Sequence, residues 1–145
     1  MFRTRRAPEV AIGGRKPALP PAVVRRIVRA VLMAERRSHA FLSLTFLGPT
    51  AMRRLNREHK GHDRPTDVLA FGLAGPDGAL VGDVYVCRAV AASEARARGI
   101  PLREELVRLV VHGTLHALGY EHPEGPGRER SAMWRRQERF VRRLA

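Results

Sequence analysis

From Pro21 the apolar positions Val23, Val24, Ile27, Val28, Val31 and Leu32 return at intervals of three and four residues. That period lines up one face of a helix and predicts an amphipathic helix ending near Arg37. In "FLSLTFL" (41–47) apolar and polar positions alternate instead, the period of a half-buried strand. Thr50 then suits the N-cap of a short helix through Leu55 and Asn56. A polar stretch, "REHKGHDRPTD" (57–67), reads as a loop. It leads into "VLAF", the turn "GPDG" and "ALVGDVYV", which predict two strands joined as a hairpin.

Beyond these strands the pattern becomes helical. "AVAASEARARG" predicts a helix stopping at Gly99, and Pro101 suits the first turn of a long helix running to about Leu118. A last segment, "RERSAMWRRQERFVRRL", sets Met133, Trp134, Val141 and Leu144 among arginines. Near the start, "EVAI" is a candidate short strand, and residues 1–20, with five bases and one acid, read as a basic arm leading into it. No repeat and no compositional shift marks a second unit, so one domain over residues 1–145 is expected.

Composition narrows the class. No run approaches the roughly 18 to 20 apolar residues of a membrane span, and the first residues lack a charged-then-apolar secretory pattern, so a soluble, cytoplasmic protein is expected. The single cysteine, Cys87, excludes an intramolecular disulfide and reads as a buried, inert thiol. Twenty-seven basic residues against fourteen acidic ones give a formal charge of +13, and every base except Lys16 and Lys60 is arginine. Such a field favours a polyanion, with RNA the natural candidate.

The chemistry concentrates in "HGTLHALGYEH", His112 to His122. Residues four apart on a helix share a face, so His112 and His116 present two imidazoles side by side. Gly119 can take the left-handed conformation that ends the helix and turns the chain back, bringing His122 to the same point. Three neutral imidazoles leave one position of a tetrahedral ion open, the arrangement of a catalytic zinc with water or substrate in the fourth place. Metzincin peptidases share this spacing but carry a glutamate, the general base, directly after the first ligand. Here that position is Gly113, which moves the peptidase reading to second place. Met133, beside Trp134, reads as core filler and not as a methionine turn.

Together, "HGTLHALGYEH" and "LNREHKGHDRPTDVLAF" resemble the YbeY family of bacterial endoribonucleases and rRNA maturation factors. The family patterns are approximately His-Gly-x-Leu-His-x-x-Gly-Tyr-Asp-His and Leu-Asn-x-x-Tyr-Arg-x-x-Asp-x-Pro-Thr-Asp-Val-Leu-Ser-Phe, and "GDVYV" is similar to the strand that follows. The resemblance runs from about Leu42 to the C-terminus. It implies an α+β fold with a small mixed four-stranded sheet packed with about five helices, and a metal site at the end of a long helix. It also implies one zinc ion on His112, His116 and His122. The activity implied is cleavage of single-stranded RNA in small-subunit rRNA maturation and ribosome quality control, with rRNA and the small ribosomal subunit as partners and neither DNA nor membrane.

Among the positions that depart from the family pattern, Lys60 replaces arginine, Ala70 serine, Gly72 proline and Glu121 aspartate. The family arginine assists at the phosphate. Lys60 brings a point charge where a guanidinium brings a planar fork, and its alternative is a solvated lysine in the loop. Asp67 is either a partner for a metal-bound imidazole or a cap at the loop-to-strand junction. Glu121 either orients His122, acts as base or faces solvent, and His59 and His62 read as surface residues. The seven arginines from Arg128 onward are either phosphate contacts or a solvated helix face. Besides the peptidase, a non-catalytic, metal-stabilised ribosome-assembly factor stays open.

Overall fold

The structure, a computed structural model, describes residues 7–145. Residues 1–6 of the expected basic arm lie outside the described residues. In chain order the elements are β1 (Glu9–Gly13), α1 (Pro21–Ala34), β2 (Ala40–Leu47), α2 (Pro49–Lys60), β3 (Val68–Ala74), β4 (Leu80–Cys87), α3 (Arg88–Arg98), α4 (Leu102–Ala117) and α5 (Ala132–Leu144). The strands form one sheet in the order β1-β2-β4-β3. β2 is parallel to β1 and β4, while β3 and β4 form the antiparallel hairpin. The expected mixed four-stranded sheet with five helices is therefore present.

The alternation in β2 decides which side of the sheet is covered. Ala40, Leu42, Leu44 and Phe46 point into the main core with Val84 and Val86 of β4. The stripe of α1, Val24, Ile27, Val28, Val31 and Leu32, closes over them, and α4 lies beside it. From Leu106 to Leu115 α4 is buried at every position, because the sheet, α1, α3 and α5 all pack around it. Residues of opposite parity in the strands face a second, smaller cluster, in which Met52 of α2 meets Leu69 and Cys87. Cys87 is a fully buried free thiol there. Among the described residues no helix is long and apolar enough to cross a membrane.

Three boundaries differ from the sequence expectation. Helix α1 stops at Ala34, because Arg36 adopts a left-handed conformation (φ 59°) and the Arg37 N–H turns back to the Leu32 carbonyl. A non-glycine residue there leaves no signal in the sequence. Helix α2 starts at Pro49 with Gly48 before it, so Thr50 sits in the first turn and caps nothing. It also continues through Lys60 to a stop at Gly61 (φ 73°), so Lys60 belongs to the last helical turn and not to the loop.

The sheet and α4 approach each other closely at glycines. A Cβ built at Gly72 would sit 2.0 Å from the carbonyl oxygen of Ala117. β3 thus rests directly on the backbone at the end of α4, which accounts for glycine where the family pattern has another residue. Gly72→Ala is expected to lower stability by roughly 1–3 kcal/mol, since backbone must move to admit the methyl group. Urea unfolding of the variant reads this as a lower midpoint at unchanged slope, and an unchanged midpoint would mean that strand and helix part at no cost.

Candidate metal centre

Helix α4 delivers two of the three histidines and its ending delivers the third. Its C-cap is Leu118; Gly119 (φ 104°) donates to the His116 carbonyl and Tyr120 to that of Leu115. This paired closure satisfies the last carbonyls and reverses the chain. The Tyr120 hydroxyl then donates to Glu35 at the end of α1, which also accepts from Arg136 of α5. Pinned in this way, the segment carries His122 back over the helix end. The ligating nitrogens of His112, His116 and His122 lie within 4.8 Å of one another. The ring centroids are 4.6, 5.1 and 4.9 Å apart, close enough for three rings to share one ion.

Hydrogen bonds decide which nitrogen of the first ligand is free. Nδ1 of the buried His112 faces Oε1 of Gln137, and the Gln137 amide nitrogen donates to Glu138. A carboxylate only accepts, so the amide must turn its nitrogen to Glu138 and its oxygen to His112. Nδ1 of His112 therefore carries the proton and Nε2 keeps the lone pair. Glu138 is held in turn by two bonds from Arg108, each 2.9 Å. His122 shows the same logic, its Nδ1 lying 3.0 Å from the Pro123 carbonyl. Fixing one ring nitrogen as a donor prepares the other as a ligand.

Charge and burial agree with that role. Desolvation, reinforced by the His116 charge, pushes the His112 pKa down to about 3 against the opposing bond to Gln137. Burial and His122 lower that of His116 as well. The first two rings are thus neutral, the state a metal requires. Donor type, spacing and protonation all fit a divalent ion such as zinc.

The triad opens into a cleft of about 610 Å³. Lys60, Asp67 and Glu121 line it too, but none is hydrogen-bonded to a histidine. Exposed Lys60 sits at the end of α2 with Nζ 5.6 Å from the centre of the Phe71 ring. Asp67 caps the strand: its carboxylate accepts from the Val68 N–H at 2.8 Å, its carbonyl accepts from the Cys87 N–H, and burial raises its pKa. Glu121 is exposed at the rim. His59 stacks on Phe71, and exposed His62 lines the cleft mouth.

Gln137 is the residue that the sequence reading missed. A polar residue midway between Met133 and Val141 on the inward face of an arginine-rich helix was the available signal. Gly113 faces the sheet, where an added Cβ would lie 2.4 Å from Val84 Cγ1. A glutamate at that position would drive its stem into the core, so the peptidase base has no room there.

Residues 18–145 match the family described as Endoribonuclease YbeY. Proteins of that description include one from Chromohalobacter salexigens, 44% identical over 84 residues, 56% of this chain and 54% of the relative. A Bordetella pertussis protein is 50% identical over 84 residues, 57% of this chain and again 54% of the relative. Both matches thus take in about half of the relative's length. A Desulfitobacterium hafniense protein is 39% identical over 125 residues, 79% of this chain and 78% of the relative. The solution structure of TM1509 from Thermotoga maritima superposes with a TM-score of 0.66 at 26% identity, covering 93% of this chain and 88% of that one.

The depressed His112 pKa makes stability depend on pH. Between about 3 and the unfolded value of 6.5 the unfolded chain binds a proton at this residue that the folded chain does not. Stability therefore rises with pH in that window and is lost on acidification, by on the order of 4 kcal/mol in total. Urea midpoints of the metal-free protein should fall steadily from pH 6.5 towards 4, and less steeply for His112→Asn. Equal slopes for the two would mean that the folded ring takes up its proton normally.

Proposed function

The chain belongs to the Endoribonuclease YbeY family, and on that premise we propose that it is a zinc-dependent endoribonuclease cutting single-stranded RNA in rRNA maturation and ribosome quality control. Its partners are then rRNA and the small ribosomal subunit, and its place the cytoplasm. Residues 1–145 act as one such domain, with the basic arm at its start. The observation that carries this reading is the trio of imidazoles at the end of α4 beside a glycine that leaves no space for a peptidase base.

His112, His116 and His122 hold the ion. When bound, it supplies Lewis acidity that polarises water or a phosphate oxygen. The protein's own residues bind and orient. Gln137, locked by Glu138 and Arg108, keeps Nε2 of His112 turned to the site. Lys60 neutralises charge that builds on the phosphoryl oxygens as one P–O bond forms and another breaks. Asp67 holds the strand end that forms the cleft wall, and Glu121 is the carboxylate at the rim for proton movement. Arginines around the cleft track the RNA backbone.

Two variants test this. His116→Ala is expected to lose the ion by elemental analysis and to lose RNA cleavage about a hundredfold or more. Peptide-library cleavage by the wild type would restore the peptidase, and RNA binding without any cleavage would favour the assembly factor. Gln137→Leu keeps the volume but frees the His112 ring, so zinc affinity against a competing chelator should fall roughly 10- to 100-fold. An unchanged affinity would mean that packing alone orients the ring.

A further inference from the structure

A second cation reaches the histidine cleft. Arg128, just ahead of α5, lines it together with Lys60 at the end of α2. Its backbone is tied down, because the Ser131 hydroxyl donates to the Arg128 carbonyl at 2.7 Å while accepting the Trp134 N–H that opens the helix. Its guanidinium carbon lies 5.6 Å from the centre of the Trp134 ring. The guanidinium thus lies over the Trp134 ring with its Nε donor unspent. Nε is buried with no hydrogen-bond partner, and among the described residues no carboxylate forms an ion pair with it.

Other ordered arginines are committed. Arg108 serves three glutamates, Arg53 holds Asp63 and Arg136 holds Glu35. Arg128 alone among these four combines a stacked plane, a buried idle donor and a place in the cleft. A buried donor without a partner is costly, so such an arrangement favours an acceptor that arrives from outside. The charge of Arg128 is felt at Asp67, His112 and His116, which sets it at the histidine end of the cleft. An anionic group that offers two non-bridging oxygens, such as a phosphodiester, suits a guanidinium fork.

We propose that Arg128 is the phosphate-binding residue of this cleft, its fork taking two non-bridging oxygens of an RNA phosphodiester that lies against the three histidines. It supplies the planar grip that Lys60, an exposed ammonium lining the same cleft, lacks. The proposal deepens the endoribonuclease reading and rests on it for the identity of the polymer.

The test separates the two. Binding of a labelled single-stranded RNA oligonucleotide to metal-free protein is followed by fluorescence anisotropy over a range of salt, for wild type, Arg128→Gln, Arg128→Lys and the exposed control Arg142→Gln. Arg128→Gln should weaken binding about tenfold and flatten the salt slope by about one. Arg128→Lys should regain the slope but not the affinity, and Arg142→Gln should change affinity less than about twofold. Melting temperatures should stay together. Equal effects of Arg128→Gln and Arg142→Gln overturn the proposal, as does an Arg128→Gln variant that melts early yet binds RNA normally. Should zinc-loaded wild type bind RNA without cutting it, the nuclease reading fails while the anisotropy still decides Arg128. No RNA binding by the wild type sinks both.

Discussion

The tautomer of one buried imidazole depends on a relay that begins at an arginine one helical turn away. Arg108 grips Glu138, Glu138 accepts from Gln137, and Gln137 leaves only its oxygen to face His112. Each partner has a single chemical option, so the chain of bonds has one direction. Arg108 is itself buried among Glu104, Glu105 and Glu138, and removing it would strand acidic groups at a cost of roughly 3–5 kcal/mol. The same bonds join α4 to α5. The ionic cluster that clamps the two helices is thus also what points the first ligand.

Close packing supplies the second constraint. Gly113 sits against the Val84 and Val68 side chains, and Gly72 against the Ala117 carbonyl at the end of α4, so helix and sheet approach each other closely at glycines on both sides. That contact leaves the imidazoles at 112 and 116 on the free side of α4, toward the cleft. It also removes the option of a carboxylate one residue after the first ligand. Three neutral ligands without that base is a direct consequence of how the helix lies on its sheet, and it shifts the burden of substrate activation to groups brought by other elements.

Much of this was legible in the order of residues. The helical period from Val23 to Leu32, the alternation of 41–47, the hairpin turn and the glycine stop at 119 all act through local geometry, and local geometry is what a pattern encodes. The histidine spacing belongs to the same class, since two ligands share a helix face and the third follows its cap. What escaped depends on contacts distant in sequence. The Gln137–His112 bond spans 25 residues and the Tyr120–Glu35 bond 85. Arg36 ends a helix in a conformation that its residue type disfavours, and Gly61 was passed over because the polar run before it hid a helical turn with little apolar face. Asp67 turned to its own strand because the nearest donor was the next backbone N–H.

Charge ties the site to the rest of the chain. Lys60 and Arg128 stand around imidazoles that are neutral, and their fields help to keep them so. An ion held by three neutral ligands would keep its full double charge, offset only in part by the carboxylates of Asp67, Glu121 and Glu124 that line the cleft. Burial further weakens that offset by favouring the protonated form of Asp67. The loaded cleft is therefore short of negative charge on a molecule that is already at +13. On the proposed function, a phosphodiester would bring the missing anion into a cleft lined by Lys60 and Arg128, and ion and RNA would each make the other's binding more favourable.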